Sequence, residues 1–150
     1  MAVYTKVSKV GIQSILSKYN VGKLIKYEES SNEVRAIYDD IRKTRGAEFI
    51  NNFWLALANN PEQLDRTWNQ VKTIMKGGAL DPLTKELIYI AVSVANSCEY
   101  CIHSHTASAK KKGLTDDQYK ELLEVIGLAH HTNGLVSTMQ VDVDESFKQQ

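Results

Sequence analysis

The sequence predicts an all-α protein, and three observations carry that prediction. Both prolines follow a residue that caps helices, Asn60 before Pro61 and Asp81 before Pro82, where proline serves as the first helical residue. Apolar residues recur at three- and four-residue spacing through most of the chain. The one β-branched run, "LIYIAVSVA" from Leu87 to Ala95, begins a full turn after the Asp81-Pro82 helix start, and no other segment offers a strand to pair with it. A lone strand cannot make a sheet.

The first thirty residues carry too loose an apolar pattern to fix an element. Asn32 to Arg45 and Glu48 to Asn59 each read as helix. From Pro61, Leu64, Trp68, Val71 and Met75 keep helical register until Gly77-Gly78 ends the segment. The helix from Pro82 is apolar nearly all round and is expected in the core. A break near Asn96-Ser97 starts a new helix just before Cys98. Thr115 and Gln118 form a capping box that opens a helix through Tyr119, Leu122, Leu123, Ile126 and Leu128. Asp142 to Gln150 reads as a frayed polar tail.

At 150 residues, with no internal repeat and no low-complexity linker, the chain is expected to be one domain, 1–150, long enough to bury a core. Eighteen basic residues offset eighteen acidic ones and no basic run stands out, which argues against a nucleic-acid partner. The opening "MAVYTKVSKV" lacks the apolar stretch of a signal peptide, and no apolar run of about 18 residues exists to span a membrane. The expected address is the cytoplasm. Thiols are kept reduced there, so a close cysteine pair points to catalysis or metal binding before a structural staple.

Both cysteines and two of the four histidines lie in "VANSCEYCIHSHTASAKKKG", Val94 to Gly113. At about 100° per residue, Cys98, Cys101 and His105 share one helical stripe, continued by Ala109. His103 points elsewhere, with Tyr100 and Lys110. The two cysteine Cα atoms would stand roughly 5 Å apart, within reach of a disulfide. Both thiols would lie in the first turn, where the positive end of the helix dipole lowers thiol pKa, and His105 could take or relay a proton from Cys101. That spacing supplies a nucleophile, a resolving thiol and a base. Two alternatives stand beside it: the cysteines as small buried hydrophobes, and a zinc site completed by His130 and His131, which lack the usual ligand spacing. Haem attachment is excluded, because Ile102 and not histidine follows Cys101.

Glu86, Cys98, Cys101 and His105 together form E-x₁₁-C-x₂-C-x₃-H. With the "NNPEQL" helix opening and the "GGALDPLTKE" turn, this pattern resembles the alkylhydroperoxidase D-like branch of the carboxymuconolactone decarboxylase superfamily. The likeness covers about residues 48–134 and leaves 1–31 as an N-terminal extension. It implies an oligomeric helical bundle, a trimer or hexamer, with the cysteines near a pocket. It also implies a chemistry of side chains alone, with no cofactor and no metal. Cys101 attacks a hydroperoxide and becomes a sulfenic acid, Cys98 closes the disulfide, and an external dithiol, a lipoyl domain or thioredoxin-like protein, reopens it. Glu86 and His105 move the protons, Glu86 orienting the imidazole or taking its charge.

The type member carries a histidine directly before its second cysteine; Tyr100 stands there in this chain, which thins the proton relay. Glu86 also has a plainer reading, as an exposed first-turn carboxylate favoured by the helix dipole, although Leu83, Leu87 and Ile90 around it suggest buried surface. His103, His130 and His131 read as polar surface, and Trp54, Trp68 and Tyr89 as core or subunit contact. Trp54, Leu55, Leu57 and Trp68, with the apolar helix after Pro82, are expected to add surface that subunit packing covers. A rival reading of the whole is a redox sensor or structural oligomer that uses the disulfide as a switch.

Overall fold

The structure is a computed structural model that describes residues 22–148, and among these it contains helices and no strand. The chain divides into two compact units at the junction of Ile74 and Met75.

The first unit runs from a 3₁₀ turn at Tyr27–Glu29 into α1 (Asn32–Arg45), α2 (Asn52–Leu57) and α3 (Pro61–Met75), whose last residue lies across the boundary. Ser31 caps α1 by accepting from the Val34 N–H, and Gly46 ends it at φ 58°, a left-handed turn suited to glycine. The helix expected over Glu48 to Asn59 is shorter at both ends. Arg42 Nε donates to the Glu48 carbonyl (2.7 Å) and Arg45 to Asn51 Oδ1 (2.8 Å), which fastens the linking residues to α1 and leaves Asn51 extended. The cap before α3 is as read: Asn60 Oδ1 accepts from the Gln63 N–H at 3.1 Å.

Val34, Ile37, Tyr38 and Ile41 make one stripe of α1 and bury against Trp54, Ala58, Leu64 and Trp68. The two indoles meet edge to face, 5.4 Å between centroids. Both are buried within the chain's own core, so they do not supply the subunit surface expected of them; Leu55 and Leu57 are partly buried against the same cluster. The Tyr38 hydroxyl donates to the Ile25 carbonyl (2.8 Å), and burial pushes it up to about 12. Ile25 N–H in turn donates to the Leu55 carbonyl (3.0 Å), so the strip before α1 packs on this core. The remainder of the expected N-terminal extension, 1–21, lies outside the described residues.

The second unit holds α4 (Pro82–Ala95), α5 (Glu99–Lys111), α6 (Asp116–Met139) and α7 (Glu145–Lys148). Asp81 caps α4 by accepting from the N–H groups of Leu83 (2.9 Å) and Thr84 (3.0 Å). Both arms of the Thr115–Gln118 capping box are present. α4 packs on α5 and α6 around Ile90, Ala109 and Leu114, with Leu83, Leu87, Val94, Tyr119 and Leu122 at the edge.

Two expectations, on α4 and on the tail, are corrected here. α4 is not enclosed on every side: it buries one stripe, Glu86, Ile90 and Ser93, and leaves Ile88, Tyr89 and Val92 exposed. α6 runs past Leu128 to Met139 and buries only Ile126. The tail forms the short α7, with Lys148 paired to Glu145 at 2.6 Å. No helix among the described residues is long and apolar enough to cross a membrane.

Candidate active site

The junction between α4 and α5 sets the cysteines in place. Asn96 closes α4, Ser97 turns to φ 53°, and Cys98 caps α5. Two backbone bonds complete the turn, from the Ser97 N–H to the Val94 carbonyl (3.0 Å) and from the Cys98 N–H back to the Ser93 carbonyl (2.9 Å). This is the Schellman pattern, which satisfies carbonyls at the end of a helix. Its left-handed position is normally glycine; a serine there costs roughly 1–2 kcal/mol. Ser93 is buried, and its hydroxyl donates one turn back to the Tyr89 carbonyl at 2.7 Å. The same motif ends α5: Gly113 (φ 94°) donates to Lys110, and Leu114 donates to Ala109 and packs beside it.

Cys98 and Cys101 are joined as a disulfide, with Cα atoms 5.4 Å apart. One turn further along α5, His105 reaches across to α4, its Nδ1 standing 2.6 Å from Glu86 Oε2. Glu86 is not the exposed first-turn carboxylate of the plainer reading; it is 3% exposed. Its other oxygen, Oε1, accepts from the Ser108 hydroxyl (2.8 Å) and from Lys112 Nζ (2.8 Å), and Lys112 also donates to Ser108 (2.7 Å). Burial pushes the Glu86 carboxyl upward. Hydrogen bonds from His105, Lys112 and Ser108, helped by the Lys112 charge, outweigh that and hold it down to about 2. An ionised Glu86 accepts from the Nδ1–H of His105, and this leaves Nε2 as the ring nitrogen not engaged with the carboxylate.

The four residues singled out from sequence therefore sit on two facing helices: Glu86 on α4, and Cys98, Cys101 and His105 at the start and on one stripe of α5. Three further residues join them. Tyr89 lies flat on the His105 ring, centroids 3.6 Å apart and planes 16° from parallel, with its own ring open to solvent. An exposed Tyr89 is not the core residue of one reading; it is one turn from Glu86 and shares its face. Ser108 and Lys112 were legible in principle, since Cys101, His105, Ser108 and Lys112 keep the alternating four- and three-residue spacing of one stripe. What sequence did not show is that a buried carboxylate waits opposite. Tyr100 and His103 are exposed on α5, and His130 and His131 are exposed on α6. Among the described residues, no group of three or more His, Cys, Asp and Glu is placed to hold a metal ion.

A helical fold with a CxxC at a helix start and a Glu–His pair behind it defines a class of small thiol proteins, and comparison places the chain within it. The model of the carboxymuconolactone decarboxylase family matches residues 61–142, and the chain belongs to that family. Within it the chain falls in the alkylhydroperoxidase D-like branch. The crystal structure of the alkylhydroperoxidase AhpD core from Rhodospirillum rubrum is 50% identical, superposes with a TM-score of 0.78, and is matched over 100% of this chain and 99% of that one. An alkyl hydroperoxide reductase AhpD of Solibacter usitatus is 32% identical over 75 residues, 50% of this chain and 40% of that protein. An uncharacterised protein in the cox locus of Paracoccus denitrificans is 39% identical over 54 residues, 36% of this chain and 49% of its own length. The matches thus span half or less of these two relatives.

Proposed function

We propose that this chain is a thiol-dependent peroxidase that reduces hydroperoxides through Cys98 and Cys101. The observation that carries the reading is the buried Glu86–His105 pair, one helical turn from a cysteine pair at a helix start. With the disulfide reduced, the backbone amides and dipole at the start of α5 favour a thiolate, and Nε2 of His105 takes the thiol proton of Cys101. The thiolate attacks the outer oxygen of the hydroperoxide; the O–O bond breaks, and the alkoxide leaves as alcohol with the proton returned from the imidazolium. Cys101 is now a sulfenic acid. The Cys98 thiol gives up its proton and attacks that sulfur, an S–S bond forms as the S–O bond breaks, and hydroxide leaves as water with the Cys98 proton. A lipoyl domain or thioredoxin-like dithiol then supplies two electrons and two protons by thiol–disulfide exchange. The sum is hydroperoxide plus dithiol giving alcohol, water and disulfide.

The AhpD name of two of the similar proteins supports the substrate class. A panel of hydroperoxides tested with dihydrolipoamide and thioredoxin as donors checks the proposal. Many turnovers per chain are expected; a single turnover would make the protein a redox sensor instead.

The proposed working form is a cytoplasmic homo-oligomer, trimer or hexamer. Ile88 and Val92 on α4, and Leu123, Leu128, Leu135 and Met139 on α6, are large apolar residues open to solvent, an arrangement that subunit packing would cover. Light scattering should give several times the 16.9 kDa chain mass, unchanged by reductant. The chain mass alone would remove the oligomer from the proposal.

A further inference from the structure

The geometry points to Lys112, assisted by Ser108, as the positioning group of this site: it anchors Glu86 Oε1 so that Oε2 is committed to His105 and the imidazole is held with its proton on Nδ1. The inference rests on the proposed thiol chemistry for its use, and the tests below separate the two.

The two carboxylate oxygens of Glu86 have different partners. Oε2 has the His105 ring, while Oε1 closes a triangle with Ser108 Oγ and Lys112 Nζ whose three sides are 2.8, 2.8 and 2.7 Å. The terminal torsion of a glutamate is broad and roughly two-fold, so a carboxylate held at one oxygen alone is free to turn. Held at both, its plane is fixed, and the ring that donates to it is fixed too. Charge leads the same way. A buried carboxylate needs a counter-cation. Lys112 supplies one at 2.8 Å, which balances the Glu86 charge on the Oε1 side and leaves Oε2 to the His105 ring. The plainer role for a lysine at the end of α5 is to pair with the helix dipole. Lys110 and Lys111 in the same turn already suit that role, and neither is paired with Glu86.

The test uses a Cys98→Ser background, in which Cys101 is the single thiol of the chain, and follows its alkylation by iodoacetamide at pH 7.5. No peroxide is needed. Lys112→Met should slow alkylation about tenfold, in the range found when a group that orients a reactive residue is lost. Lys112→Arg should restore most of the rate. In a Glu86→Ala background, Lys112→Met should change the rate by less than about twofold, because the lysine acts through that carboxylate. Nitrogen-15 spectra of His105 should show the proton on Nδ1 in the parent and a mixture of tautomers in Lys112→Met. If Lys112→Met does not fold, Lys112→Ala repeats the series. An undiminished rate, an equal loss with Glu86 absent, or an unaltered His105 spectrum beside a slowed thiol would each overturn the inference. Failure to turn over hydroperoxide, with these effects intact, would remove the peroxidase reading and leave the positioning role standing.

Discussion

Asp40 in the first unit and Glu86 in the second each accept from a lysine, from a ring N–H and from a hydroxyl. Asp40 Oδ2 has Lys72 at 2.6 Å and Trp68 Nε1 at 2.7 Å, with the Thr44 hydroxyl at 3.5 Å from Oδ1. Glu86 has Lys112, His105 and Ser108. Both carboxyls are held below the usual range, Asp40 first by its bond from Lys72, Glu86 by three donors working against its burial. Two differences separate a structural tie from a reactive site. The Asp40 side chain is 41% exposed and that of Glu86 4%, so solvent screens the first and not the second. And an indole N–H only donates, whereas an imidazole that donates from one nitrogen can accept at the other. The same three partners make a clasp around tryptophan and a proton-handling pair around histidine.

The largest effects belong to the two thiols on the Glu86 side. Cys101→Ser should abolish reaction with hydroperoxide. Cys98→Ser should react once and leave a sulfenic acid that dimedone traps on Cys101. Mass spectrometry finding the adduct on Cys98 of the Cys101→Ser protein would reverse their roles.

Next in size, His105→Asn and Glu86→Gln should each slow peroxide reduction by roughly 10²-fold, the usual scale for a lost acid–base group. The double variant should be little worse than either, because linked groups lose function non-additively. Multiplicative losses in stopped-flow rates would mean that the two act separately.

Acid sharpens the contrast further. Glu86 is held at about 2, below its ordinary 4.5, so its contribution to stability is fully present above about pH 4.5 and is lost as pH falls through 2. Denaturant midpoints of the wild-type protein and Glu86→Gln should differ at pH 6 and converge towards pH 2. A gap that persists at pH 2 would point to packing as the cause.

Asp40→Asn, by contrast, should cost only about 1 kcal/mol, since a part-exposed pair is screened by solvent, and should leave peroxide reduction within about twofold. A hundredfold loss there would erase the distinction between the two carboxylates. The smallest effect is expected at the turn between them and the thiols: Ser97→Gly, which relieves a left-handed serine, should raise the melting midpoint by the equivalent of about 0.5–1 kcal/mol.

How much of this was written in the sequence follows from how local each feature is. Asn60-Pro61, Asp81-Pro82 and Thr115-Gln118 declare helix starts because the capping bond closes within three residues. The stripe of Cys98, Cys101 and His105 is equally local. Tyr89, Ser108 and Lys112 escaped because their meaning depends on which face of α4 meets which face of α5. The apolar count of α4 hid the answer, for two of the three residues in its buried stripe are polar, Glu86 and Ser93 beside Ile90. Trp54 and Trp68 read partly as subunit surface for a similar reason: the stripe of α1 that covers them is visible in sequence, but its partner is not.

The backbone bond from the Cys98 N–H to the Ser93 carbonyl has a consequence for how the protein can signal. The main chain around the first cysteine is fastened to α4 through a peptide group, and the second cysteine follows inside α5, so neither relies on the sulfur–sulfur link for its position. Opening that link changes the chemistry of two atoms and asks little of the helices. A relay that reports oxidation to a partner needs two shapes to choose between. A junction fastened through its peptide groups, and not through sulfur alone, suits repeated cycling more than message-carrying.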